Sequence, residues 1–275
     1  MTKTIKKADG SSRYTYDVRP SLKCIHEKIC QIFFRQVTYP DYLQGSIKNR
    51  DYLSNVKKHV NSKIVISEDI TNFFPSITKK VVHEMWIGVF GFSNEVAACL
   101  AELVTMDDIV PQGAKTSSHV CNLILWNREY TLVNNLKRKG LTYTRYVDDI
   151  TVSSKKILCT KEKTAIINSI YSMLRTVGAK PNRKKHKVMP RSKKQDVHRV
   201  NINHHRPSLP KYKRNQIRLA VYGCEKRHAV DPSAKEYLDL YRSVLGRVNT
   251  MARMHKKEAE KLRKRLELVK PLYLT

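Results

Sequence analysis

The sequence predicts an α+β fold, and three observations predict it. Residues 141–154 place β-branched and aromatic residues on both sides of Asp148-Asp149, the pattern of a β-hairpin with acids at its turn. Residues 64–69 form a mostly apolar run ending in Asp69, as a buried strand would. Residues 21–36 and 161–177 instead carry apolar residues at helical spacing.

In chain order, Asp9-Gly10 is a hairpin turn signal flanked by Lys6, Lys7 and Arg13. Ser21 is a candidate N-cap for the first helix. Residues 78–107 read as helical, with Val81, Val82, Met85, Trp86 and Val89 on one apolar face. The helix at 161–177 is amphipathic through Ala165, Ile166, Ile170, Met173, Leu174 and Val177. Residues 211–218 and 232–269 read as helices, the latter with Leu238, Tyr241, Leu245 and Val248 as a buried stripe.

Adjacent strand residues point to opposite faces, so a turn is what lets Asp148 and Asp149 approach one site. Two such carboxylates resist joint ionisation unless a cation neutralises them, and hard divalent ions take oxygen ligands. Taken alone, the pair is also what a polar hairpin tip would carry. Asp69 at a strand end adds a third carboxylate, which could complete a two-metal site for in-line phosphoryl transfer.

The chain has 275 residues, enough for one large domain or two to three subdomains, and carries 53 Lys+Arg against 24 Asp+Glu, a net charge of +29. So large an excess points to a polyanion partner. Between Ala179 and Arg227 there are sixteen Lys/Arg against two acids, interleaved with apolar residues, which suits a folded cationic surface. The six Cys are scattered without a Cys-x-x-Cys pair, as expected of reduced thiols in a cytosolic protein. No apolar run is long enough to span a bilayer, and the basic N-terminus lacks the apolar core of a signal peptide. No membrane partner is expected.

Asp69, followed by Ile-Thr-Asn-Phe-Phe, together with Tyr146-Val-Asp-Asp149, strongly resembles the reverse transcriptases. The resemblance runs from Lys6 to about Asn249 and implies a right-hand polymerase with an antiparallel palm sheet, small fingers and a helical thumb. Fingers are then expected at 1–62, palm at 63–205 with the helices of about 78–107 between motifs, and thumb at 206–275. A chain ending at Thr275 is expected to lack RNase H, endonuclease and integrase domains.

The resemblance assigns roles residue by residue. Asp69, Asp148 and Asp149 match the catalytic, metal-holding acids, implying two Mg²⁺ per site, for which Mn²⁺ can substitute. Lys7 and Arg13, with Lys6, match the basic fingers hairpin that clamps the triphosphate of a dNTP. Phe74 stands where a bulky side chain excludes a ribose 2′-OH. Gln112 and Gly113, in Val110-Pro-Gln-Gly113, match the nucleotide-contacting box. Ser117-Ser118 follows where Ser-Pro is common. Lys185, in Gly178-Ala-Lys-Pro-Asn-Arg-Lys-Lys185, matches a proton donor to departing pyrophosphate; His186 could share that role. Tyr146 is assigned to nucleic-acid contact, as are Lys211, Lys213, Arg214 and, in Tyr241–Asn249, Gly246 at the duplex minor groove.

Asn55-Val-Lys-Lys-His59 resembles the Asn-Ala-x-x-His element of retron reverse transcriptases, and implies nucleic-acid contact by Asn55 and His59. Val197-His198-Arg199 stands where retrons carry Val-Thr-Gly. The retron resemblance implies a bacterial, cytoplasmic RNA-directed DNA polymerase. Its partner would be a structured non-coding RNA, copied into RNA-linked DNA in anti-phage defence, with an effector protein as a further partner. The altered Val-Thr-Gly element leaves open a defence-associated reverse transcriptase outside the retrons. A non-catalytic RNA-binding module with the same fold is the third reading, and it is set against the presence of all three carboxylates.

Overall fold

The computed structural model describes residues 2–6, 10 and 12–272, with Thr2, Lys3, Ile5 and Arg13 described by backbone alone. The chain forms two compact units, Met1–Lys193 and Lys194–Thr275, each with its own apolar core.

The first unit opens with the antiparallel hairpin β1 (Thr2–Lys6) and β2 (Ser12–Tyr16). Gly10, at φ 80°, lies between them, as the turn signal requires. Lys7 lies outside the described residues, and Arg13 is placed on β2 opposite Ile5. Helix α1 (Pro20–Ile32) starts one residue before the expected cap. Pro20 sets the start because its ring already holds the helical φ and it lacks the N–H a cap would satisfy.

Helix α2 (Tyr52–Lys57) is opened by a capping box between Asp51 and Ser54. Strand β3 (Ile64–Thr71) follows, nearly all buried, as its apolar run demands. A short α3 (Phe73–Ser76) leads into α4 (Lys79–Phe90) and α5 (Asn94–Val104). The single helical stretch expected over 78–107 is thus two helices. Gly91 breaks it with φ 71°, a left-handed C-cap, and Ser93 caps the next helix. Trp86, Phe33, Phe34, Phe90 and Phe92 form an aromatic cluster around this corner.

Helices α6 (Ser117–Leu123) and α7 (Trp126–Arg138) precede the predicted hairpin, β4 (Leu141–Tyr146) and β5 (Asp149–Ser154). Helix α8 (Thr160–Arg175) then leads to β6 (Lys180–Pro181) and β7 (Lys187–Pro190). The sheet order is β4-β5-β3-β6, with β7 also on β3, and every pairing is antiparallel.

In the second unit, β8 (Asp196–Val197) and β9 (Val200–Asn201) form a tight hairpin. Its two loop residues, His198 and Arg199, have φ 49° and 61°. Positive φ at both positions is the two-residue turn that normally selects Asn-Gly. The residues that replace Thr-Gly therefore keep a hairpin turn despite their side chains. Helices α9 (Lys211–His228), α10 (Lys235–Ala252) and α11 (Lys256–Glu267) bury Ile217, Val221, Tyr237, Tyr241, Val244, Val248 and Leu262. The buried stripe of α10 is Tyr237, Tyr241, Val244, Val248 and Met251, so Leu238 and Leu245 flank it rather than define it. Arg265 clasps Glu225 with two bonds of 2.7 Å, tying α11 to α9.

Candidate active site

The register of three strands brings the acids together. Asp69 is the cross-strand partner of Asp149, and Asp149 is also the partner of Tyr146. The backbone N–H of Ile70 donates to Asp148 O at 2.9 Å, so the turn folds onto the end of β3. Directly opposed residues on an antiparallel pair have Cα atoms about 4.5–5.5 Å apart, which makes Asp69 and Asp149 immediate neighbours.

The Asp69 carboxylate accepts from Lys185 Nζ at 2.9 Å and from Asn182 Nδ2 at 3.2 Å. The backbone helps: Asn182 N donates to Asp69 O at 2.7 Å. Lys185 is held protonated above its ordinary range, first by its bond to Asp69. Burial, then the charges of Asp148 and Asp69, push the Asp149 carboxyl up to about 7. The positive charges of Lys185 and Lys187 oppose this rise without cancelling it.

Glu68 and Asp69 are neighbours on β3 and point to opposite faces. His186 follows Glu68, giving a 2.6 Å contact between His186 Nδ1 and Glu68 Oε1, while Lys185 follows Asp69. The expectation that His186 shares the role of Lys185 is corrected by this alternation: its ring is turned to the far side of the strand.

Beside the acids lies a cavity of about 320 Å³, lined by Tyr14, Tyr16, Asp69, Phe74, Gln112, Asp148, Asn182 and Lys185 among others. Phe74 is half-buried, packed on the core with one side toward this cavity. Gln112 joins it through its loop, whose carbonyl accepts from Tyr16 N at 2.8 Å. Gly113 has φ 115°, and a Cβ there would lie 2.8 Å from Tyr16 O. Its glycine is thus required by the backbone of β2. Ser117, at the start of α6, donates from Oγ to Pro111 O at 2.6 Å, pinning the box to the helix without the family's proline.

The donor set is all carboxylate oxygen, which fits a hard divalent cation better than a thiolate or imidazole metal. Among the described residues, no three Asp, Glu, His or Cys side chains form a ready-made cage, and Asp69 is engaged by Lys185 and Asn182.

Reverse transcriptase (RNA-dependent DNA polymerase) is the family profile that matches residues 5–202. The retron Se72 reverse transcriptase of Salmonella heidelberg is 40% identical over 264 residues, covering 95% of this chain and 70% of that protein. The chain belongs to the retron-type reverse transcriptases. The Escherichia coli retron Ec48 reverse transcriptase is 32% identical over 284 residues, covering 98% of this chain and 69% of that protein. Among solved structures, apo telomerase from Candida tropicalis, truncated from its C-terminal domain, superposes with TM-score 0.55 at 13% identity. That alignment covers 76% of this chain and 54% of the telomerase chain, so this chain spans about half of its length, and the likeness is one of fold.

This reverse transcriptase is an RNA-directed DNA polymerase, of a family that depends on divalent metal. Several predicted contacts to nucleic acid lie elsewhere than expected. Asn55 and His59 are wholly buried. The His59 ring lies 2.7 Å from both Ser153 Oγ and Thr144 Oγ1, bracing the end of α2 against β4 and β5. The expectation that Asn55 and His59 touch nucleic acid is corrected accordingly, because no face of either side chain is open to a ligand. Arg214 bonds Glu258 at 2.9 Å, joining α9 to α11, so it serves the fold of the second unit before any phosphate. Lys211 is exposed, Lys213 half-buried, and Gly246 exposed with open space around it. Tyr146 is half-buried at the base of the acidic turn.

Two important residues were given no role by the sequence. Gly45 sits against the turn: a Cβ there would fall 2.6 Å from Val147 N and from Val147 Cγ2. Arg145, wholly buried, reaches the same turn from within. A non-local bridge between Leu43 and Arg145 brings the two segments together. No helix among the described residues is long and apolar enough to cross a membrane.

Proposed function

We propose that this reverse transcriptase copies a structured non-coding RNA into RNA-linked single-stranded DNA by metal-assisted phosphoryl transfer, in bacterial anti-phage defence. One observation carries the chemistry: the register of β3 and β5 gathers three carboxylates, two of which line one cavity, and their mutual repulsion, on top of burial, pushes the Asp149 carboxyl up to about 7. Asp69, Asp148 and Asp149 are the residues that would hold two Mg²⁺, with Mn²⁺ as a substitute. When bound, these ions lower the pKa of the primer hydroxyl and neutralise charge on the leaving pyrophosphate.

The chain's own groups do the rest. Lys185 holds a proton beside Asp69 and donates it toward the departing pyrophosphate. Asn182 and Lys185 orient the Asp69 carboxylate. Phe74 fills the volume a ribose 2′-OH would need, and Gln112 lines the same cavity for the incoming dNTP. Lys7 and Arg13 belong to the proposed triphosphate clamp. Lys211, Lys213 and the exposed surface at Gly246 belong to the proposed grip on the duplex, which is read through sugars and phosphates. The divisions into fingers, palm and thumb, the cytoplasmic location and an effector partner belong to the same proposal.

The test is direct. Asp148→Asn and Asp149→Asn abolish dNTP incorporation while RNA affinity stays close to wild type, because affinity comes mainly from basic residues. Incorporation at the wild-type rate by either variant sinks the assignment. Sequencing the nucleic acid that co-purifies with the protein tests the partner: one abundant structured RNA joined to DNA through a 2′ linkage is expected.

A further inference from the structure

The acidic turn holds a conformational difficulty. Val147 has φ 58°, in the left-handed region, where a β-branched residue is a genuine outlier. Such a conformation persists only when its surroundings over-determine it, and here they are unusual.

Arg145, two residues earlier, is wholly buried. Its Nη1 donates to Val147 O at 3.1 Å and to Cys121 O at 3.1 Å. Its Nη2 donates to Asn122 O at 3.0 Å and to Glu129 Oε2 at 2.8 Å. Its Nε donates to Glu129 Oε1 at 2.6 Å. Glu129, on α7, is wholly buried as well and also accepts from Tyr143 OH at 2.7 Å. The backbone of Arg145 is fixed from the other side. Its N–H donates to Tyr42 O at 2.8 Å, and its carbonyl accepts from Gln44 N at 2.8 Å.

The cation is neutralised by one acid and its fork is spent on three backbone carbonyls. Two of them belong to the last turn of α6, which lacks intrahelical donors and carries the negative end of the helix dipole. The third belongs to Val147. A buried ion pair adds little stability compared with apolar residues of the same volume, so its value lies in the geometry it imposes. A guanidinium suits this task and an ammonium does not, because only the planar fork reaches Glu129, α6 and the turn together.

We propose that Arg145, clamped by Glu129, is a positioning residue for polymerisation: it holds the Val147 carbonyl, and so the left-handed turn that presents Asp148 and Asp149. The inference rests on the reading of those two acids as the polymerising carboxylates. Arg145 touches neither substrate nor metal in this scheme and acts through the turn.

The test is a double-mutant cycle on the full chain, read as single-nucleotide incorporation on an RNA template. Arg145→Lys lowers kcat by about tenfold or more, while KM for dNTP and RNA affinity change by less than about threefold. Glycine adopts positive φ without cost from a side chain. The loss caused by Arg145→Lys is therefore smaller, by about fivefold or more, when measured in a Val147→Gly background. A residue that only stabilises the core predicts the same loss in both backgrounds, and that result overturns the proposal. So does wild-type kcat in folded Arg145→Lys. If Arg145→Lys does not fold, as judged by thermal unfolding, Glu129→Gln replaces it in the cycle with the same expectations. If neither variant folds, the pair is structural and the proposal falls. Asp149→Asn is the control: it stays inactive in every background, and activity there would refute the carboxylate reading rather than the positioning one.

Discussion

Gly45→Ala is the sharpest perturbation available at this site, because the added atom has nowhere to go. Its Cβ would stand 2.6 Å from Val147 N, 2.6 Å from Val147 Cγ2 and 3.0 Å from the Tyr146 carbonyl carbon. Ordinary carbon contacts lie at about 3.5–4.0 Å, so the separation must grow by about 1 Å. A side-chain methyl can rotate away, but the Val147 amide is part of the turn. Nor can the Gly45 segment retreat freely: Gln44 N donates to Arg145 O at 2.8 Å, and Asn122 Nδ2 donates to Gly45 O at 2.9 Å. The displacement therefore falls on the turn that carries Asp148 and Asp149. A misplacement of about 1 Å in reacting groups costs about 100-fold in rate, or about 2.7 kcal/mol on the barrier. Overpacking also costs about 1–3 kcal/mol of stability, which a melting curve records separately. We predict about a 100-fold loss in single-turnover dNTP incorporation at saturating substrate, with RNA affinity unchanged. A Gly45→Ala protein with wild-type rate and wild-type melting temperature refutes the reasoning.

Three further predictions concern sugar choice, proton linkage and the cationic surface. Phe74→Ala or Phe74→Val raises rNTP incorporation relative to dNTP by more than about tenfold, since an unpaired buried hydroxyl costs about 1–3 kcal/mol and overlap adds to it. An unchanged dNTP/rNTP ratio in a variant of normal thermal stability makes Phe74 a plain core residue. Asp149 titrates at about 7 when folded against a reference of 3.8, so the native state binds the extra proton and metal-free stability falls as pH rises through that window. Metal-free Asp149→Asn accordingly melts above wild type at pH about 8, with the gap closing as pH falls through 7 toward about 4. A gap independent of pH contradicts the shift. Neutralising Lys211 and Lys213 weakens binding to unrelated duplexes equally and reduces the salt slope by about one for each phosphate no longer neutralised. An unchanged slope assigns them to a solvated face. Arg214 is left out of that pair because it also ties α9 to Glu258 of α11, so a melting curve would register its loss first.

What the sequence determined by itself is local and periodic. The hairpin over 141–154 and the strand ending in Asp69 were legible because alternation and apolar runs report burial directly. The helix at 161–177 followed from its spacing, and the three acids were legible as residue types at strand ends. The split of 78–107 at Gly91 was also written locally, in a glycine followed by a serine cap, though the apolar face ran on and masked it. Tertiary structure alone decided which polar residues face inward. Asn55 and His59 look like helix-surface groups until α2 is laid against β4 and β5, where Ser153 and Thr144 receive the imidazole. Lys185 and His186 are equivalent by spacing, and strand alternation sends them to Asp69 and Glu68 on opposite faces. Gly45, Glu129 and Arg145 meet across long stretches of chain, through a bridge and a buried ion pair. Such pairings leave no period in the sequence, because the partner that gives each residue its meaning is brought close only by folding.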